Sequence, residues 1–276
     1  VTFAFDIALV GTLLTNSGTI WTMVIPVKIA AVSYLNTVPF VYGIKHAQEW
    51  RAELLLSSPA RSAELIEEGA TDIALVPTAT ADRLRGVRIL SEYCLAANDR
   101  LFTARLESDV ALQRIERIIY DPEWFITPEI LSRLCSHLWR IAPKLVDRRT
   151  LDAAWQPAES DAEIICGDEA FATARRRRYE FDLGEEWRRS THEPLVLGVW
   201  VVRADVTPEE SDAFERALTF GIEHTWEALE ECEMATAESY LQLTERIDYL
   251  FDQEKDRASR KLWREGVKVA PRANPG

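Results

Sequence analysis

The sequence predicts an α/β protein of two lobes with a ligand cleft between them. Three observations carry that expectation. Short apolar runs alternate with helical segments, the alternation continues well past the middle of the chain, and neither an internal repeat nor a Gly/Ser-rich linker separates the halves. Lobes without a flexible linker must be joined by strands that cross twice, and a cleft lies where they cross.

Each element has a local reason. Residues 27–32 form an apolar strand-like run, and Asn36, Thr37 and Pro39 behind it belong to a loop. Residues 61–68 are helical in pattern and stop at Gly69, after which 72–77 read as a buried parallel strand, completing a βαβ unit. Residues 117–120 form a strand, and Thr127 and Pro128 open a helix as N-cap and first-turn proline. Strands follow at 163–166 and 195–202, the second suited to crossing between lobes, and 208–261 is mostly helical. The expected division is 27–102 with 205–276 in one lobe and 103–204 in the other. Residues 1–26 are expected to be a non-native or disordered extension.

With 276 residues, 47% of them hydrophobic, the chain can bury an ample core. A net charge of −13 disfavours nucleic acid and acidic membrane surfaces as partners, so an anionic ligand must be held by local groups. Cys94, Cys135, Cys166 and Cys232 show neither a CxxC pair nor nearby histidines, which predicts buried free thiols rather than a zinc site or disulfides. The cationic run 175–178 is followed by Glu180, Asp182 and Glu185 and reads as a solvated, charge-balanced surface. Residues 1–22 are apolar but lack the Lys or Arg of a secretory signal, and Asp6, Asn16 and several threonines make a bilayer span costly. A cytoplasmic location is the resulting expectation. Nothing in the sequence fixes an oligomeric state.

The run Ser33-Tyr34-Leu35-Asn36-Thr37-Val38-Pro39 resembles the Ser-Tyr-Leu-Asn-Thr-x-Pro signature of chorismate dehydratases, the menaquinone biosynthesis protein A family of the futalosine route. Further similar blocks follow in the family's order: Ser58-Pro59-Ala60-Arg61 with 72–77, then Gly167-Asp168 with 182–187, then 195–200, and finally Ile247-Asp248-Tyr249 among the closing helices. Related dihydroxynaphthoate synthases begin with a different loop. Three places depart from the pattern, one of them Thr191-His192-Glu193-Pro194 where the family has Thr-Gly-Leu-Pro. Thr103 stands where the family has an active-site serine, and 123–127 reads Glu-Trp-Phe-Ile-Thr in place of a Ser-Arg-Thr-Ser type loop.

The resemblance implies a periplasmic-binding-protein type II-like fold and a hydro-lyase that takes water from chorismate to give 3-[(1-carboxyvinyl)oxy]benzoate. It implies no cofactor, and the sequence has no motif for a cofactor or a metal. On it, Asn36 and Thr103 are the candidate catalytic residues, with Ser33, Thr37, Ser58, Arg61 and Thr127 as candidate substrate-binding residues. Other roles stand beside these: Asn36 as a turn residue, Thr103 as an ordinary strand residue, Thr127 as an N-cap and Arg61 as a surface helix residue. No general base is assigned among His46, His137, His192 and Glu193, and a substrate carboxylate could itself take the proton. The 123–127 loop is expected to line the cleft and hold a carboxylate by backbone amides, with Trp124 or Phe125 against the ring or anchoring the loop. An inactive or altered-specificity paralogue that binds a small cyclic carboxylate is the alternative.

Overall fold

The computed structural model describes residues 26–47, 51–172 and 177–264. Nearly all of the expected N-terminal extension, and Arg175 and Arg176, lie outside the described residues.

The apolar runs become two sheets. The strands in chain order are β1 (Val27–Val32), β2 (Ala52–Ser57), β3 (Ile73–Pro77), β4 (Val87–Ala97), β5 (Ala104–Ser108), β6 (Arg117–Tyr120), β7 (Lys144–Asp147), β8 (Asp161–Cys166), β9 (Tyr179–Asp182), β10 (Leu195–Arg203) and β11 (Asp248–Leu250). The first sheet has the order β11-β4-β10-β3-β1-β2, and the second β7-β6-β8-β5-β9. In the first, β2, β1 and β3 are parallel, as βαβ connections require, and β10, β4 and β11 continue it antiparallel. Both faces of this sheet are covered: Ile29, Leu75 and Trp200 enter one core cluster, Ala30, Val76 and Val199 another. That explains why these strands read as continuous apolar runs rather than alternating ones.

Two expectations are corrected here. Leu195–Arg203 was placed with the second lobe, but β10 pairs with β3 and β4 in the middle of the first sheet. A strand buried on both faces fits either sheet by composition, so its sequence could not choose. Residues 247–249 were expected among closing helices, yet Asp248–Leu250 forms a short edge strand against β4.

Caps set the helix starts. Ser58 accepts from the Arg61 amide ahead of Pro59–Glu67, Asp182 from the Glu185 amide ahead of Leu183–Thr191, and Thr207 forms a capping box with Glu210 ahead of Pro208–Glu223. The helix Val38–His46, which fixes the signature loop, lies against Pro208–Glu223 through facing glycines. A Cβ on Gly43 would sit 2.0 Å from the Ala217 carbonyl, and one on Gly221 would sit 1.9 Å from the Pro39 carbonyl. Because backbone rather than a movable side chain is in the way, Gly221→Ala should cost about 3 kcal/mol, the upper end of overpacking effects. Equilibrium denaturation checks this: a midpoint unchanged from the parent would contradict the close approach.

Candidate active site

The chain leaves the first sheet at Ala97 and enters the second at Ala104. The segment between is clamped by one carboxylate. Asp182 accepts from the Leu101 amide at 2.9 and 3.1 Å, from the Phe102 amide at 2.7 Å and from the Glu185 amide at 3.1 Å. It thus joins the outgoing crossing to the helix that leads back. Phe102 is held at φ 59, a left-handed conformation costly for a side-chain-bearing residue. Its ring lies between the guanidinium groups of Arg100, 4.5 Å from the centroid, and Arg246, 3.8 Å away. Gly184 lets the backbones meet, since a Cβ there would be 2.2 Å from the Asp99 carbonyl. Residues 182–187 supply this clamp and the start of a helix.

The clamp delivers Thr103 to Asn36. Behind β1 the chain turns through Leu35–Thr37, where the Thr37 hydroxyl accepts from the Tyr34 amide at 3.1 Å and faces the Val32 carbonyl at 2.6 Å. Asp168, from the helix after β8, accepts from the Leu35 amide at 2.7 Å and ties this turn to the second lobe. Asn36 then donates from Nδ2 to Thr103 Oγ1 at 2.7 Å. The Tyr249 hydroxyl donates to the Asn36 carbonyl at 2.9 Å, and Gln242 Nε2 donates to Asn36 Oδ1 at 3.3 Å.

Asn36 and Thr103 open onto a cavity of about 30 Å³ between the lobes. That is room for a water or two, against roughly 300 Å³ or more in ordinary small-molecule sites, so a ring-sized ligand requires the lobes to part. Trp124, Phe125 and Ile126 line it on the side of the second lobe. The Phe125 ring lies on β10 at Gly198, where a Cβ would come 2.6 Å from Cε1. Across the mouth, the Ser58 hydroxyl donates to the Glu123 carboxylate and Arg83 pairs with Glu129. Among the described residues, no Lys, Arg or His lines the cavity.

The sequence-selected residues divide accordingly. Asn36, Thr37 and Thr103 line the cavity, although the Thr37 hydroxyl is occupied in its own turn. Ser58 caps its helix and bridges to Glu123 at the mouth. Ser33 is exposed and outside the cavity lining. Arg61 points away from the cleft, bonding Glu64 at 2.8 Å and Glu68 at 3.1 Å on its own helix, because its position falls on the exposed face. Thr127 occupies the N-cap position without a side-chain cap bond and lines an outer groove beside Pro128 and Glu129. None of His46, His137, His192 and Glu193 lines the cavity: His46 pairs with Glu231 at the surface, and Glu193 pairs with Lys261. Cys94, Cys135 and Cys166 are buried free thiols as expected, whereas Cys232 is exposed. Sequence reasoning missed Gln242 and Tyr249. Both bond Asn36 from more than 200 residues away in the chain, a pairing that no local signal announces.

The menaquinone-biosynthesis family profile matches residues 27–263. The chain belongs to that family. Protein AF1704 from Archaeoglobus fulgidus is similar in structure, with a TM-score of 0.68 and 16% identity over 87% of this chain and 96% of that one. An ABC transporter from Parabacteroides distasonis superposes at 0.59 with 16% identity over 87% and 91% of the two chains. The Candida albicans CA3427 product, described as having the generic periplasmic binding protein fold, does so at 0.54 with 13% identity over 87% and 90%. No curated protein matches the chain. This menaquinone-biosynthesis family member therefore has the two-lobed α/β fold of periplasmic binding proteins, with Asn36, Thr103 and the 124–126 loop lining its interlobe cavity. Among the described residues, no helix is long and apolar enough to cross a membrane.

Tyr34, the ring against Gly167 at the cavity wall, has its hydroxyl pushed up to about 12 by burial and then by the carboxylate of Asp121 and its neighbours. Its folded state holds the proton more tightly than the unfolded chain, whose tyrosines ionise near 10. The associated stability is therefore complete below pH 10 and lost as pH rises towards 12. Ultraviolet titration should show one phenol ionising near 12 that Tyr34→Phe removes, and an unchanged titration curve would contradict this packing.

Proposed function

We propose that the protein is a chorismate dehydratase, removing water from chorismate to form 3-[(1-carboxyvinyl)oxy]benzoate. The observation that carries the reading is the Asn36–Thr103 bond at the interlobe cavity, made by the signature loop and by the hydroxyl in the place of the family's serine. In this elimination a ring C–O bond and the neighbouring C–H bond break, a ring π bond forms, and aromatisation drives the reaction. Charge left at carbon spreads through the diene onto the ring carboxylate, and the departing oxygen needs hydrogen-bond donors. The Asn36 amide and the Thr103 hydroxyl are such donors, held in place before reaction and away from water. Neither is a base at neutral pH, and in this reading a substrate carboxylate takes the proton. Trp124 and Phe125 supply an apolar wall for the ring.

A second reading, altered specificity for another small cyclic carboxylate, is favoured by one observation. The cavity has no cationic side chain among the described residues, while chorismate carries two carboxylates. In the dehydratase reading those groups are met by backbone amides once the lobes part. Incubation of the purified protein with chorismate, followed by liquid chromatography and mass detection, should show loss of one water. Asn36→Ala should lower kcat about a hundredfold to a thousandfold, the effect of deleting one preorganised donor, with folding retained. Binding of chorismate without turnover would favour the second reading, and near-normal turnover by Asn36→Ala would remove Asn36 from the chemistry.

A further inference from the structure

A side-chain amide can sit in a site either end first, so something must decide which end of Asn36 meets Thr103. The decision can be followed inward from the surface. A guanidinium only donates, and Arg246 Nη1 lies 3.3 Å from one end of the Gln242 amide, which must therefore be the oxygen. The Leu101 carbonyl only accepts, and it lies 2.8 Å from the other end, which must be the NH2. These two constraints agree. The same NH2 faces Asn36 at 3.3 Å, so Asn36 presents Oδ1 to it and turns Nδ2 to Thr103 Oγ1. Thr103 accepts that bond, which leaves its own hydrogen with the Leu101 carbonyl, 3.4 Å away at the edge of bonding range, as its nearest protein acceptor. Gln242 is wholly buried, and Arg246 is seated on the Phe102 ring that the crossing clamp holds.

The geometry points to Gln242 and Arg246 as positioning residues that lock Asn36 with its N–H end towards Thr103, so that the pair offers donors alone to a departing oxygen. This rests on the dehydratase reading for its consequence, but the lock itself is a property of the folded protein. Inverting the Asn36 amide would place an acceptor where a leaving hydroxyl needs a donor, opposing C–O cleavage while leaving substrate contacts elsewhere untouched. The effect belongs in kcat rather than KM.

Arg246 lies at a surface groove, which allows its exchange with little disturbance to the core. Arg246→Lys keeps a donor-only group and Arg246→Met removes it, while Gln242→Glu removes the NH2 directly. Arg246→Met and Gln242→Glu should lower kcat roughly tenfold to a hundredfold with KM within about threefold, and Arg246→Lys should recover most of the loss. In parallel, the Asn36 side-chain amide resonances in the 15N-labelled protein, assigned by their disappearance in Asn36→Asp, should shift in Arg246→Met and return in Arg246→Lys. Identical amide resonances in the parent and Arg246→Met would overturn the lock, as would Lys and Met variants with equal kcat. If the parent shows no turnover at all, the dehydratase reading fails, and the resonances still decide the lock. Should Gln242→Glu fail to fold, the two Arg246 variants carry the test.

Discussion

Where the chain passes from one sheet to the other, a single carboxylate receives amides from both directions of travel. Asp182 holds Leu101 and Phe102 on the way out and Glu185 at the start of the helix that leads back, and so ties the outgoing crossing to the second lobe. Charge-assisted bonds to a carboxylate are about twice as strong as neutral ones, which suits them to maintaining a strained residue such as Phe102. Thr103 is the next residue in the chain, so its meeting with Asn36 depends on this clamp. The stacked guanidinium groups on Phe102 and the Gln242 bridge to Asn36 depend on it too.

Across the cleft, Ser58 bonds Glu123 and Arg83 pairs with Glu129, each joining a residue of one lobe to a carboxylate of the other. The apolar loop 124–126 lines the cavity beside Asn36 and Thr103. With a net charge of −13 over the chain, long-range attraction does not draw an anion in, so selection falls to short-range bonds inside the cleft.

Much of this was legible in the sequence because it is local. Apolar runs marked β1, β3, β6, β8 and β10, Thr127 and Pro128 marked a helix start, and the signature loop drew attention to Asn36. What escaped was non-local or ambiguous by composition. The run 195–203 is apolar throughout and carries no record of which sheet it joins. Arg61 could have lain on either face of its helix, and pairing with Glu64 and Glu68 resolved it outward. The edge strand 248–250 is too short to show a period, yet it aims the Tyr249 hydroxyl at the Asn36 carbonyl. Gln242 looks like any polar residue of a helical stretch until the fold buries it beside the signature loop.

We propose that the chemistry takes place where Asn36 and Thr103 meet, in a cleft that opens to admit its ligand. A crystal structure of the Asn36→Ala variant, grown with chorismate to slow turnover, tests it most directly. The claim predicts lobes parted relative to the closed form, the ring against Trp124 and Phe125, and the ring hydroxyl within hydrogen-bond reach of Thr103 Oγ1. Chorismate bound instead in the groove lined by Arg100 and Arg246, with the interlobe cavity still closed, would contradict it.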